Sequence, residues 1–253
     1  MRGWWGEIAG LVLPTDCAGC GTPGSVLCGT CRERLSGRRA RRVWPDPVPA
    51  GLPPVCAAAP YAGSVRSVIL AHKERGALGL AEPLGAALAG AVRALGLLAE
   101  GCGVRDGRGP LLLVPVPSAR RAVAGRGHDA GRRLARAAAS VLRRSGVPAR
   151  TAAVLRFRRD VVDQSVLDAG QRAVNVSGAM GVAAGAERLW PAGGSLLLVD
   201  DVVTTGASLA EAARAVAVAG GRPVGAAVVA APVGAFELPG YPAGALRCTG
   251  SDT

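Results

Sequence analysis

Lysine is almost missing from this chain: of its 30 basic residues only Lys73 is a lysine, and the rest are arginines. Aromatic residues are also scarce, at 3%, which leaves few faces on which the bases of a single strand could stack. No run approaches the roughly 18 apolar residues that a membrane helix needs, so no membrane insertion is expected. The opening stretch "MRGWWGEIAGLVLP" is broken by Glu7 and followed by no small-residue cleavage site. It reads as a short amphipathic helix with Trp4 and Trp5 turned inward, not as a secretion signal. No internal repeat is present.

What remains is a chain of 253 residues, 49% apolar, with a formal charge of +12. That length and composition suit one large α/β domain with a small appendage. The positive charge favours polyanionic partners, and with so few aromatics a phosphorylated metabolite is a better fit than nucleic acid. Of the seven cysteines, four form two C-x-x-C pairs, Cys17 with Cys20 and Cys28 with Cys31. Four thiolates at this spacing can meet in a tetrahedron around Zn²⁺, and with all positions filled such a site is structural. The alternative is two disulfides. Without a secretion signal the metal reading is preferred, and a reducing cytoplasm follows from it.

Residues 1–35 are therefore read as an N-terminal helix and zinc module, and 36–56 as a basic, proline-rich linker or wrapping arm. The main domain is assigned to 57–235 and a C-terminal tail to 236–253. Within the main domain, strands are expected at 111–117, 149–157, 195–201 and 222–233. Helices are expected at 78–98, 128–146 and 208–221, two of them ending in glycine. This alternation predicts a mainly parallel sheet.

The stretch "LLLVDDVVTTGAS" carries the chemistry. An apolar strand ends in Asp200 and Asp201, and a tight turn then leads into a helix N-terminus, where converging backbone N–H groups favour a phosphate. Thr204, Thr205 and Ser208 add hydroxyl donors, and Gly206 lets a ligand approach closely. Two carboxylates beside such a nest can accept from a vicinal diol, so phosphate plus diol indicates a ribose 5-phosphate. The plainer alternative is a capped helix without a ligand.

This stretch resembles the phosphoribosyl-pyrophosphate (PRPP) motif of type I phosphoribosyltransferases. The resemblance implies that fold, with Asp200 and Asp201 on the ribose hydroxyls and Val203, Thr204, Thr205, Gly206, Ala207 and Ser208 around the 5-phosphate. In "LLLVPVPSARRAVAGRGHDAG" the corresponding turn of the family binds pyrophosphate, which nominates Ser118, Arg120 and Arg121, with Arg126 behind them. The Gly125-x-Gly127 piece lacks the third glycine spacing of a dinucleotide site.

The polar segment 156–180 stands where the family carries a mobile hood, and its Gln164, Arg172 and Asn175 spacing resembles the ComF branch, named for DNA-uptake competence. "YAGSVRSVILAHKERG", "VPVP" before "RGHDA", and the cysteine pairs point the same way. Lys73 is then expected to contact the anionic ligand, and His72 to be structural. One departure is the "RGHDA" run at His128 to Ala130, where the branch has "RGFNQ". The resemblance implies displacement of pyrophosphate from PRPP with Mg²⁺ by an acceptor the sequence does not reveal. Two other readings stand beside it: a non-catalytic protein handling single-stranded DNA through Arg38, Arg39, Arg41 and Arg42, and a purine salvage enzyme.

Overall fold

The computed structural model describes residues 16–96, 109–119, 123–125, 127–159, 161, 169–190 and 195–236. The expected helix over residues 1–14 and the tail beyond 236 lie outside them. In chain order the elements are α1 (Gly29–Leu35), β1 (Arg41–Val43), β2 (Val55–Pro60), α2 (Gly63–Glu74), α3 (Ala81–Ala94), β3 (Leu111–Pro115) and α4 (Ala130–Arg144). They continue with β4 (Ala149–Thr151), β5 (Leu155–Phe157), α5 (Ala169–Val176), β6 (Met180–Val182), β7 (Leu196–Val202), α6 (Ala207–Val218) and β8 (Pro223–Ala231).

The sheet runs β1-β2-β8-β7-β3-β4. All neighbours in it are parallel except β1, which lies antiparallel on the edge against β2. The expected α/β fold with a mostly parallel sheet is therefore present, and its strands are apolar because helices cover both faces. Side chains alternate along each strand, so odd and even positions enter different layers. Leu111, Leu113, Leu197, Val199, Ala227 and Val229 pack with α1 to α4. Leu112, Val114, Leu196, Leu198, Ala226 and Val228 pack with α6 and the β5/β6 ribbon.

Three boundaries differ from the sequence expectation. The run 149–157 is not one strand: the ladder with β3 ends where the Ala152 amide donates to the Leu113 carbonyl. The chain then crosses to the other layer, where β5 pairs antiparallel with β6. The apolar residues Ala152, Val154 and Leu155 are buried in that second layer, so the same hydrophobic run serves two separate pairings. Segment 36–56 supplies β1 and the start of β2, and the Trp44 amide donates to the Ala235 carbonyl. It forms an arm paired to the sheet edge. Helix α3 begins only after a 3-10 turn at Leu78–Leu80, which leaves Pro83 in its first turn, where its missing N–H costs nothing.

Helices α3 and α4 approach so closely that a Cβ on Gly85 would stand 2.5 Å from Ala137 Cβ and 2.8 Å from Ala138 N. The only relief is to part the helices, because the obstacle is backbone and a methyl group. Gly85→Val should destabilise the chain by roughly 1–3 kcal/mol, read as a lower urea midpoint. Gly29→Ala, which meets nothing within 4 Å, should leave it near wild type.

Candidate functional site

Strand β3 leads through α4 to β4 on one side, while β7 leads through α6 to β8 on the other. Neighbouring strands that diverge in this way open a crevice at their carboxyl ends, where open α/β sheets bind ligands. Pro115 at the end of β3 faces Val199 of β7, and the Val116 amide donates to the Val199 carbonyl. The turn after β3 and the acidic pair of β7 thus share one edge.

After β7 the Val203 amide donates to the Ala230 carbonyl, and Gly206 turns the chain into α6 at φ 76°. Only glycine adopts that conformation easily. A Cβ there would also press on Leu52 and Pro45 of the arm, each at 3.1 Å. Thr204 is exposed, Thr205 and Ser208 are half-buried, and Val203, Gly206 and Ala207 are buried. The six residues form one turn at the N-terminus of α6.

The two carboxylates differ. Asp201 Oδ2 lies 2.8 Å from Lys73 Nζ at the end of α2. Asp200 Oδ1 accepts from the Asp201 amide at 2.8 Å. Burial, then the charge of Asp201, push the Asp200 carboxyl up to about 8 against the pull of Lys73. Burial works against the Lys73 ammonium, but Asp201 and Asp200 outweigh it and hold its pKa above the ordinary lysine value. The site therefore holds the 2.8 Å Lys73–Asp201 ion pair beside an Asp200 carboxyl that keeps its proton more readily than an ordinary carboxylate.

Behind Lys73, His72 is 3% exposed. Its ring stands edge-on to His128 with centroids 6.3 Å apart. His128 Nε2 lies 3.3 Å from the His72 carbonyl, and Asp129 caps α4 by accepting from the Arg132 amide. Those two bonds give His128 and Asp129 positions that the family pattern did not supply. Burial, then the charges of His128 and Arg133, lower the His72 imidazole to about 4, with Asp201 opposing. His72 is neutral, in keeping with a structural role.

Ser118 lines a cavity of about 440 Å³ with Val116, Pro117, Arg132, Arg156 and Phe157. Arg120, Arg121 and Arg126 fall outside the described residues. Arg132 and Arg156 were not anticipated. They stand in the α4 and β5 stretches, and only the meeting of those elements brings them to one cavity. In the expected hood, Gln164 is likewise outside the described residues, while Arg172 and Asn175 lie on α5, a regular helix where an irregular segment was expected. The carbonyls of Asn175 and Ser177 accept from Arg159, each at 3.0 Å. The root of this ribbon is fixed to α6: Glu211 accepts from the Met180 amide at 2.9 Å and from both ends of the Arg214 fork. Burial works against the Glu211 charge, but Arg214 and the amide hold its pKa below the usual carboxylate value.

The cysteine knuckle comes together as expected. All four sulfurs of Cys17, Cys20, Cys28 and Cys31 lie within 4.8 Å of one another. Cys20 and Cys28 Sγ are 3.6 Å apart, close to the ~3.8 Å edge of a tetrahedron with Zn–S bonds of about 2.3 Å. The thiols are free, and they converge on one point rather than separating into two bridged pairs. Burial opposes the Cys17 thiolate, but backbone N–H groups, Cys28 first, bring it down to about 6, whereas burial pushes Cys31 up to about 12. This donor set can hold a metal such as zinc. It is the only such cluster of three or more among the described residues, and no helix among them is long and apolar enough to cross a membrane.

No family model matches the chain, and no curated protein matches it.

Two outcomes follow. Chelating the metal should lower the melting temperature, and Cys20→Ser should reproduce the loss, because the knuckle shares its core with α2 and α3. For His72, whose pKa falls from 6.5 unfolded to about 4 folded, stability is complete above pH 6.5 and is lost as pH drops toward 4. Asp200, raised by folding, runs the opposite way over this range. The contribution of His72 is therefore read against His72→Gln: between pH 7 and 5 the wild type should lose about 2 kcal/mol relative to the variant in urea unfolding.

Proposed function

We propose that the chain is a type I phosphoribosyltransferase-like protein of the ComF kind, which binds PRPP and transfers its phosphoribosyl group. The observation that carries this reading is the shared edge at the switch point, where Asp200 and Asp201, the Gly206 turn and the Ser118 turn meet. A 5-phosphate would sit on the N-terminus of α6, with Thr204, Thr205 and Ser208 as donors. Asp200 and Asp201 would hold the two ribose hydroxyls. The bond from C1 to pyrophosphate breaks as the acceptor bonds to C1, and Ser118 with Arg132 and Arg156 stands on the side where anionic charge collects. Magnesium entering with the substrate would neutralise the leaving pyrophosphate, with Asp200 and Asp201 as the carboxylates available to it.

The alternatives have less support. Arg41 lies over Phe236 and Arg42 over Trp44, at 5.1 and 5.2 Å, so the aromatic rings nearest the basic arm already serve the chain's own arginines. That leaves poor stacking ground for a single strand. A purine acceptor would need a base-recognising surface, and the segment after the last strand lies outside the described residues from 237 onward.

Titration calorimetry of PRPP with Mg²⁺ should give binding that the Asp200→Asn, Asp201→Asn double variant weakens at least tenfold. A folded, zinc-loaded wild type that binds no PRPP would overturn the reading. Salt-sensitive binding of single-stranded DNA in the same preparation would put the DNA-handling reading in its place.

A further inference from the structure

Helix α2 joins the two sites. Its first turn rests on the knuckle: a Cβ on Gly19 would stand 2.8 Å from Cys31 Sγ and 3.2 Å from Ser64 Cβ. The buried Ser64 bonds to the Cys31 sulfur and favours its thiolate. Along the middle turns, Val65, Val68 and Ile69 share one buried cluster with Cys17, Cys31 and Leu35. The last turn carries buried His72, its carbonyl contacted by His128, and Lys73 on Asp201 at 2.8 Å. Twelve helical residues span about 18 Å. Hydrogen-bonded throughout, such a rod passes a displacement of its first turn on to its last, and a 2.8 Å ion pair tolerates little displacement.

We infer that the cysteine knuckle positions Lys73 against Asp201 through helix α2, so that the metal module is a working part of the acidic crevice. Lys73 is a positioning residue in this arrangement: it orients and neutralises Asp201, and the knuckle sets where Lys73 stands. The inference concerns the ion pair itself and holds whatever ligand the crevice takes.

The absence of any other lysine makes the test direct. The full, zinc-loaded chain is treated with acetic anhydride, and acetylation of Lys73 is followed by mass spectrometry against the α-amine of Met1. The wild type should react slowly, and Asp201→Asn, which frees the amine, should react several-fold faster. Gly19→Ala presses on Cys31 inside the knuckle and on Ser64 of α2, displacing the one against the other, and should raise the Lys73 rate several-fold at unchanged far-UV circular dichroism. Metal-stripped protein should do the same where it stays folded. A knuckle that merely stabilises the chain would lower the melting temperature without changing the Lys73 rate in folded protein. A Gly19→Ala variant reacting at the wild-type rate would overturn the inference, and so would Asp201→Asn reacting no faster than wild type. Failure of PRPP to bind leaves these rates untouched and bears on the proposed function alone.

Discussion

Strand β7 is buried on both faces for four residues and then carries two adjacent carboxylates, and the chain has one lysine to set against them. Leaving both charges at the end of an apolar strand without compensation would cost several kcal/mol. The arrangement meets that cost in two ways, an ion pair for Asp201 and a raised pKa for Asp200. The placement of α2 and α4 follows from the first. Helix α2 must end beside β7 to deliver Lys73, and His128 ahead of α4 meets the carbonyl of the residue just before it.

The opposite layer is organised around a second buried charge. Glu211 on α6 takes the first amide of β6 and the guanidinium of Arg214, which also reaches the Met180 carbonyl. An antiparallel pair of three-residue strands has little stability alone. Its attachment to α6 fixes the base of the ribbon, while α6 itself begins at the glycine turn.

Much of this was legible from local pattern. The "LLLVDD" run is continuous because its strand has helices on both sides, and the "TTGAS" turn announces itself through a glycine that the structure holds at positive φ. The cysteine spacing was enough to bring four sulfurs to one place. What stayed hidden was pairing at a distance. Nothing near Lys73 in the sequence points to Asp201, and nothing in "ARTAAVLRF" says that its two ends belong to different sheets. Asp129 has the ordinary signature of a helix cap, which its departure from the family pattern obscures. The helical form of 169–176 is hidden by the polarity of 156–180, because a short helix packed against α6 needs only one apolar side.

The arm that crosses the glycine turn bears on how the chain could be divided. Pro45 and Leu52 stand against Gly206 from outside the parallel core, and the Trp44 amide holds the turn after β8 at Ala235. A fragment starting at Val55 would retain every strand of the parallel sheet, yet it would leave the Gly206 turn without its cover. The smallest autonomous unit of this protein is therefore larger than its sheet. Fusion or shortening of the chain is bounded by the arm and not by the first parallel strand.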